Sequence, residues 1–519
     1  MRSTLGLCAL LLPMAIAGAQ RPSLDELKQA AIQMVETRAR FTQQMVDSIF
    51  SFSELGYQEF ETSAYVTSIL EKESFEVRRG VAGMPTAFVA SWGAGRPVIG
   101  FMADIDGLPE TSQKPGVAYH SPLIPGGPGH GEGHNAGQAV NVTAALVVKQ
   151  LMEKHKIGGT IRVYPGVAEE LLGSRTYMVL AGLFRDVDVM LSTHVSHDFG
   201  THHGPWGTGL VSTHYTFQGR SAHSAGSPWM GRSALDAVEL MNAGWNYRRE
   251  HLRPEHRSHY VIVRGGDQPN VVPPVATVWY FFREWDYDRI RELHAIGTRI
   301  AGAAAQMTDT TMTERVLAAT WPGHFNKPVA EALHANIQRV GLPEWSGEDE
   351  KLARAAQAEI KVKVEGLGRK LPELKTRMEE AWRAGSDDIA EVSWNLPTVV
   401  LRYPANIPGM IGHHWSSSIA MATPIAHKGS TAGAKAHAMT ALDLLLNPEL
   451  LKAARACFDE QTKETKWKPL VPDGAQPPIE LNRDKMERFA PELRRLRYDP
   501  SKYETYMEQL GIRYPTLRE

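Results

Sequence analysis

The sequence has almost no cysteine, no excess of charge of either sign and only one long apolar run. Two cysteines in 519 residues cannot form the disulfide framework that stabilises small secreted domains. The 56 Lys and Arg residues against 58 Asp and Glu residues leave a formal charge of −2, so neither a nucleic-acid partner nor an anionic membrane surface is indicated. Stability must therefore come from an apolar core, and the 43% of hydrophobic residues can supply a core for more than one domain.

The one long apolar run lies at the N-terminus. A basic start precedes the apolar residues 5–17, and small residues follow up to Ala19. This order is typical of a secretory signal peptide, and the run is shorter than the roughly 20 residues of a membrane span. We expect cleavage after Ala19 and a mature protein that is periplasmic or secreted, has no membrane span and keeps Cys457 unpaired.

The chain beyond this segment alternates helical periodicity with short apolar strands bounded by Gly or Pro. Helical spacing covers residues 24–52, 62–73 and 139–154, and strand-like runs cover residues 86–92, 97–103, 160–164 and 187–193. The alternation predicts an α/β fold with a mixed, mostly parallel sheet. Polar residues at the carboxyl ends of these strands are candidate site residues.

The pattern changes near residue 212. Strand, helix, strand, strand and helix follow one another at residues 213–218, 232–249, 259–264, 277–283 and 287–306. This order predicts an inserted α+β lid or dimerisation domain at residues 212–322, within a catalytic domain formed by residues 20–211 and 323–450. The second catalytic part has a helix-prone stretch at residues 347–380, a strand at 398–403 and a last helix at 432–446, and residues 451–519 form a C-terminal extension.

Residues 129–135, Gly-His-Gly-Glu-Gly-His-Asn, precede the strong helix near residue 139. Glycines let the backbone approach a ligand closely, and the Glu132 carboxylate and the His134 imidazole both bind divalent ions. A flexible glycine-rich loop with incidental histidines would explain the same segment, so this segment alone does not establish a metal site.

Acidic and imidazole side chains also follow the next two predicted strands. Glu169 and Glu170 come after the strand at residues 160–164, and His194 comes after the strand at residues 187–193. Each alone could be a solvated turn or a structural histidine. Three successive loops that each supply Glu or His favour a metal site, where one carboxylate binds the ion and another accepts a proton from water.

The order of these motifs resembles the metal-dependent amidohydrolases of the aminoacylase and carboxypeptidase superfamily. It begins with Asp-Ile-Asp-Gly-Leu-Pro at residues 104–109 and continues with the glycine-rich segment, Glu169-Glu170 and His194. Within the superfamily the chain is most similar to the branch of the aminobenzoyl-glutamate hydrolase B subunits, which shares Gly-Ser-Asp-Asp at residues 385–388 and Ala-His-Lys-Gly at residues 426–429. The resemblance covers residues 24–446.

This resemblance implies two divalent ions per subunit, Zn, Mn or Co. It assigns the ligands to Glu132, His134, Glu170, His194 and a late histidine, for which we favour His413 over His414 and His427. It also implies that Glu169 is the general base and that Asp106 orients a metal ligand.

The chain departs from its branch at Glu132, where the branch usually has a cysteine. A carboxylate is a harder ligand than a thiolate, and it favours Zn, Mn or Co in a site of oxygen and nitrogen atoms. Carboxylate bridges occur elsewhere in the superfamily, so the change is compatible with catalysis. It leaves the native metal and the substrate open.

Residues 219–224 resemble the lid motif of the superfamily. The resemblance implies that His223 reaches into the site of a partner subunit and polarises the scissile carbonyl, so we expect a homodimer. It also implies that Asn270 and Arg283 contact the substrate or its carboxylate. The residues alone would indicate only a buried histidine at a strand-to-loop turn.

The resemblance thus predicts an exported dinuclear-metal amidohydrolase. Its substrates would be N-acyl or N-aroyl amino acids of the aminobenzoyl-glutamate type, or dipeptides. The alternative is a catalytically silent protein of the same fold that binds a metal or an amino-acid conjugate. A nucleophilic serine hydrolase is not indicated, because the sequence has no G-x-S-x-G motif.

Overall fold

The computed structural model of the chain describes residues 22–376 and 385–518. The predicted signal peptide lies outside these residues. Within them, no helix is long and apolar enough to cross a membrane.

A six-stranded sheet forms the centre of the larger part of the molecule, with strand order β1-β2-β4-β3-β5-β13. The strands are β1 (Glu76–Arg79), β2 (Phe88–Ala94), β3 (Val98–Asp104), β4 (Gly159–Gly166), β5 (Val189–Ser196) and β13 (Thr398–Pro404). Neighbours from β4 to β13 run parallel, whereas β1 and β2 are antiparallel to their neighbours. The prediction of a mixed, mostly parallel sheet is confirmed.

Helices cover this sheet and bury its apolar face. They include α1 (Leu24–Thr37), α2 (Ala39–Phe52), α3 (Phe60–Lys72), α4 (His134–His155), α5 (Arg175–Leu180) and, later in the chain, α11 (Pro424–Leu446). The helical spacing predicted over residues 24–52 corresponds to two helices, because the chain breaks at Arg38, where φ is −96° and ψ is 6°. The apolar spacing continues across the break since both helices bury one face in the same core.

Helix α4 begins five residues earlier than the sequence predicted. Gly133 has a φ of +66°, and a Cβ at this position would lie 2.9 Å from the side chain of Val195. Glycine is therefore needed at the entry to the helix. As a result, Glu132 precedes the helix and His134 occupies its first turn.

A second, antiparallel sheet with strand order β10-β7-β9-β8 is formed by the segment inserted between β5 and β13 of the first sheet. It contains β7 (Gly209–Gln218), β8 (Arg257–Arg264), β9 (Val275–Glu284) and β10 (Thr311–Thr320), with α6 (Ala234–Arg248) and α7 (Tyr287–Met307) packed on it. Its own apolar core includes Tyr215, Trp245 and Phe282. Strand β10 escaped prediction because its first half is polar and exposed.

A three-stranded sheet consists of β6 (His202–Trp206), β11 (Gly323–Phe325) and β12 (Lys375–Thr376). The helices α8 (Lys327–Val340), α9 (Gly347–Glu359) and α10 (Ile389–Ser393) belong to the same part of the chain. The helix expected over residues 347–380 is shorter than predicted, since α9 ends at Glu359 and Gly366 has a φ of +79°. Residues 377–384 lie outside the described part. The last helix of the catalytic part, α11, starts at Pro424 rather than at residue 432.

The C-terminal extension folds back onto the first helices. It forms α12 (Pro448–Gln461), α13 (Arg483–Leu496) and α14 (Tyr506–Gln509). Met486 and Leu493 pack with Leu55, and Tyr506 belongs to the main core. Cys457 is half-buried and unpaired.

Candidate active site

The predicted site residues gather at the carboxyl ends of three parallel strands. Asp104 ends β3, Glu169 follows β4 and His194 lies near the end of β5. A cleft of about 470 Å³ opens here toward the antiparallel sheet. Of the sequence-predicted residues, those that line it are Glu132, Glu169, Glu170, His194, Arg283 and His413.

The five predicted metal ligands surround one part of the cleft. His194 Nε2 lies 3.8 Å from Glu132 Oε2, and His134 Nε2 lies 3.9 Å from Glu170 Oε1. His413 Nε2 lies 3.7 Å from Glu132 Oε1 and 3.5 Å from Glu170 Oε2. These separations exceed hydrogen-bond lengths, yet His134 Nε2 and Glu170 Oε1 are buried without a hydrogen-bond partner. Donor atoms that converge without bonding one another fit a cation between them.

Asp106 fixes the orientation of His134. The Nδ1 atom of His134 lies 3.0 Å from the carbonyl oxygen and 3.2 Å from the Oδ1 atom of Asp106, so Nδ1–H donates and Nε2 is directed toward Glu169 and Glu170. Burial disfavours the imidazolium, but the hydrogen bond to Asp106 and the charges of Asp104 and Glu170 outweigh it and raise the pKa of His134 to about 10. This strongly negative surrounding attracts a cation.

Glu169 is a buried carboxyl group next to His134. Burial raises its pKa well above the ordinary range, and the charges of Asp387, Asp104 and Glu170 add to the effect. Its Oε2 atom lies 3.8 Å from His134 Nε2. A carboxylate whose pKa is raised binds a proton more readily than an ordinary one, which suits a group that accepts a proton from water.

A fully buried arginine pairs with aspartates next to Glu169. Arg175 has no exposed surface, and its guanidinium pairs with Asp104 and Asp388 and lies 3.6 Å from Asp387. These contacts tie the end of β3 to the Gly-Ser-Asp-Asp segment. The sequence alone assigned no role to any of these four residues, although it drew attention to the two segments that carry the aspartates.

Two groups of three ligand-type residues, which overlap with the predicted ligands, are also close together. The ligand atoms of Asp104, His134 and Glu169 lie within 4.8 Å of one another, as do those of Glu169, Asp387 and Asp388. The aspartates of both groups surround the guanidinium of Arg175. The five predicted ligands are therefore the better candidates for a cation site, because His134 Nε2 and Glu170 Oε1 have no hydrogen-bond partner.

The structure distinguishes the three candidates for the late histidine. His413 is 63% exposed and reaches Glu132 and Glu170. His414 instead places Nδ1 3.0 Å from Ser416 Oγ, and His427 is paired with a carboxylate on another helix, outside the cleft. The geometry brings only His413 of the three into the cleft.

The predicted lid residues fall into two places. Arg283 reaches the cleft, where one nitrogen donates to Ser386 Oγ at 2.8 Å and the buried Nε has no partner. Burial lowers the pKa of Arg283 to about 10. His223 and Asn270 are not among the residues that line the cleft; they adjoin each other in an exposed turn, where Ser224 N donates to the Asn270 carbonyl.

Known proteins that are similar to this chain are hydrolases of amide or peptide bonds. The model of peptidase family M20/M25/M40 matches residues 100–475. The chain is 33% identical over 456 residues to the B subunit of p-aminobenzoyl-glutamate hydrolase of Escherichia coli strain K12, and the match covers 83% of this chain and 94% of that protein. It is 26% identical over 469 residues to Xaa-Arg dipeptidase of Homo sapiens, with 86% and 95% covered.

Two solved structures share the fold. A putative aminohydrolase from methicillin-resistant Staphylococcus aureus gives a TM-score of 0.55 at 19% identity, covering 80% of this chain and 100% of that chain. An aminobenzoyl-glutamate utilization protein from Klebsiella pneumoniae gives 0.51 at 17% identity, covering 81% and 98%.

Proposed function

The chain belongs to peptidase family M20/M25/M40, a family of metal-dependent hydrolases of amide and peptide bonds, and we propose that it is a dinuclear-metal amidohydrolase with Glu169 as general base. Its substrates are N-acyl or N-aroyl amino acids, or dipeptides, with a free carboxylate. The observation that carries this proposal is the convergence of carboxylate and imidazole atoms around the unpartnered Nε2 of His134.

Two divalent ions, Zn, Mn or Co, would be held by the five residues that converge in the cleft: Glu132, His134, Glu170, His194 and His413. When bound, such ions polarise a carbonyl oxygen and lower the pKa of a bound water toward 7. A carboxylate at position 132 keeps the donor set to oxygen and nitrogen, which suits these metals.

The protein's own groups perform the proton transfers and hold the substrate. Glu169 accepts a proton from the attacking water and returns it to the nitrogen of the leaving amine. Asp106 keeps His134 oriented with Nδ1–H donating. Arg283, with its unpartnered Nε, binds the substrate carboxylate.

A homodimer would complete the site. The partner's His223 would donate a hydrogen bond to the scissile carbonyl oxygen as negative charge develops there. In support, His223 is exposed and its Nδ1 accepts from the backbone N–H of Gly226, which leaves Nε2–H as donor. Strand β8 is an edge of the antiparallel sheet, and Val261, Ile262 and Val263 on it are 57%, 46% and 47% exposed, as expected of a strand that pairs with a second copy.

Export is part of the same proposal. The N-terminal pattern predicts a mature protein that starts at Gln20 in the periplasm or outside the cell. N-terminal sequencing of the native protein tests this point, and an intact Met1 on the functional protein would overturn it.

Hydrolysis and metal content, measured on one sample, test the proposed reaction. The wild-type protein is stripped with a chelator, reloaded with Zn, Mn or Co, and assayed on N-benzoyl amino acids, aminobenzoyl-glutamate and dipeptides. We expect Glu169→Gln to keep its metal and to lose at least about 100-fold in kcat, because a positioned base contributes about 10²–10⁴-fold. The control Glu239→Gln removes an exposed carboxylate of α6 and should match wild type. A protein that holds two ions and cleaves no amide would instead be the silent binding protein.

A further inference from the structure

The turn of residues 168–173, which carries Glu169 and Glu170, is held by the segment between helices α2 and α3. It begins at Ala168, whose φ of +50° and ψ of +42° lie in the left-handed region. This region costs an alanine free energy, so neighbouring groups must hold the residue there. Within the part of the chain that the structure describes, the Glu169 carboxyl makes no hydrogen bond, and it lies 3.8 Å from His134 Nε2. The placement of this carboxyl therefore depends on the backbone of the turn.

Glu59 makes the contact at the start of this turn. Its side chain is fully buried, and its Oε1 atom accepts from the backbone N–H of Ala168 at 2.7 Å. Its Oε2 atom accepts from the hydroxyl of Thr86 at 2.8 Å. Both oxygens of the carboxyl group are therefore used, and one of them holds the residue directly before Glu169.

Glu59 is not needed to cap its own helix. It occupies the position directly before α3, yet its side chain makes no capping hydrogen bond there. Glu54 instead accepts from the backbone N–H groups of Glu61 and Thr62, at 2.9 Å and 2.8 Å. Burying a carboxyl group costs free energy unless it is hydrogen-bonded, and the backbone partner of Glu59 belongs to the turn rather than to α3.

Other contacts tie the same turn to the segment of residues 54–59. A Cβ at Gly56 would lie 2.8 Å from the Cα of Ala168, so the glycine backbone packs directly against the turn. The hydroxyl of Tyr57 donates to the carbonyl oxygen of Gly173 at 2.6 Å. The N–H of Gly173 donates in turn to the carbonyl oxygen of Ala168 at 3.0 Å. Both ends of the turn are thus anchored to this segment.

We propose that Glu59 is a positioning residue that holds the turn of residues 168–173 in the conformation in which Glu169 reaches the attacking water and Glu170 binds a metal ion. Glu59 acts through the N–H of Ala168 and contacts neither substrate nor metal. This inference rests on the proposed function, since it assumes that Glu169 is the base and Glu170 a metal ligand. The reach of the side chain, rather than its charge, then decides its effect.

Three substitutions of Glu59 separate the reach of the acceptor from its charge. Glu59→Gln keeps an acceptor for the N–H of Ala168, and its amide can donate to the Thr86 hydroxyl. Glu59→Asp keeps the charge but is one methylene shorter. Glu59→Ala removes the acceptor altogether.

Kinetics and the visible absorption of bound Co²⁺ measure the effect on protein reloaded with this metal. We expect Glu59→Ala and Glu59→Asp to lose at least about tenfold in kcat, since a misplacement of about 1 Å can cost about 100-fold. Their KM should change by less than about twofold, because the substrate contacts remain. The Co²⁺ spectrum depends on ligand geometry, so it should change in both variants as Glu170 moves. Glu59→Gln should restore both kcat and the spectrum.

The matched control is Glu391→Ala. Glu391 is also buried, and its two oxygens accept from one backbone N–H and one side chain, Trp321 N and Trp467 Nε1, each at 2.7 Å. The control should lower the urea midpoint, as Glu59→Ala does, and keep the wild-type kcat and Co²⁺ spectrum. An equal loss of kcat in this control would overturn the inference, because any buried carboxyl group would then have the same effect.

Wild-type kcat and Co²⁺ spectrum in Glu59→Asp and Glu59→Ala would overturn the inference while the proposed function stands. A loss that Glu59→Gln shares with Glu59→Asp would also overturn it, because reach would then not decide the effect. If Glu59→Ala does not fold, the comparison of Glu59→Asp with Glu59→Gln gives the answer. A wild-type protein that binds Co²⁺ but cleaves no amide would overturn the proposed function, and the spectra would still test the contact between Glu59 and the turn. A wild-type protein that binds no metal would overturn both.

Discussion

His427 Nε2 lies 2.7 Å from Asp47 Oδ1 and so ties helix α11 to helix α2. The other oxygen of Asp47 accepts from the backbone N–H of Tyr506, 3.0 Å away in the C-terminal extension. Three distant parts of the chain therefore meet at one buried carboxylate. The imidazole of His427 makes this contact, whereas that of His134 has a buried nitrogen without a hydrogen-bond partner, 3.9 Å from Glu170.

This difference predicts opposite effects of two similar substitutions. His134→Ala should lower metal content and abolish hydrolysis, because it removes a donor from the proposed cation site. His427→Ala should keep full metal content and lose about 1–3 kcal/mol of unfolding free energy, because it leaves Asp47 buried with fewer partners. Elemental analysis after gel filtration and urea unfolding measure the two effects, and loss of metal in His427→Ala would contradict the assignment of the late ligand.

A second prediction concerns the buried guanidinium of Arg175. Arg175→Gln leaves Asp104 and Asp388 without their charge partner in a water-free place, so we expect a loss of about 3–5 kcal/mol in unfolding free energy. The control Arg253→Gln breaks an exposed pair with Glu292 and should cost at most about 1 kcal/mol. Urea denaturation compares them, and equal midpoints would show that the buried network is not needed for stability.

A third prediction concerns stability in acid. Burial lowers the pKa of His437 from 6.5 to about 3. Between these values the unfolded chain binds a proton that the folded protein does not bind, so the unfolding free energy falls as pH falls, by up to about 1.4 kcal/mol per pH unit. His437→Gln keeps a donor for Asn141 and does not titrate.

Unfolding of this variant in urea at pH 6.5 and at pH 5.0 measures the effect. His437→Gln should lose less stability than wild type over this interval, by up to about 2 kcal/mol. His251→Gln, which removes an exposed imidazole, should behave like wild type. Parallel losses in all three proteins would mean that His437 does not contribute.

A fourth prediction tests whether subunits share a site. Glu169→Gln and His223→Ala should each be inactive, the second with metal and dimer intact. If the partner's His223 completes the site, a mixed dimer of the two variants contains one intact site. After unfolding and refolding together in equal amounts, we expect about a quarter of the wild-type activity. No recovered activity, with mixed dimers present by mass spectrometry, would place His223 outside the partner's site.

Local patterns in the sequence predicted much of the fold. The strands β3, β4, β5 and β13 were predicted to within about two or three residues of their ends, because short apolar runs between Gly and Pro leave few alternatives. The break at Arg38 escaped prediction because the apolar spacing continues across it, and β10 escaped prediction because its first half is polar and exposed. The helices of the extension were not predicted either.

The sequence also predicted only part of the candidate site. Glu132, Glu170 and His194 could be proposed from short motifs, each next to a predicted strand or helix. The resemblance already favoured His413 over His427, and the fold gives the physical reason, because His413 lies near Glu132 and Glu170 whereas His427 pairs with Asp47. The role of Arg175 could not be predicted from local motifs, because its partners Asp104 and Asp388 are 71 and 213 residues away along the chain.

The return of the C-terminal extension to the first helices has a consequence for biosynthesis. The rings of Tyr506 and Phe50 pack edge to face with centroids 6.0 Å apart, and Tyr498 and Tyr506 belong to the same apolar cluster as Met45. Helix α2 therefore lacks part of its packing until residues as many as 459 positions later in the chain have been synthesised. Contacts across such a separation form late, so we expect the catalytic domain to complete its core only after the C-terminal extension has been synthesised.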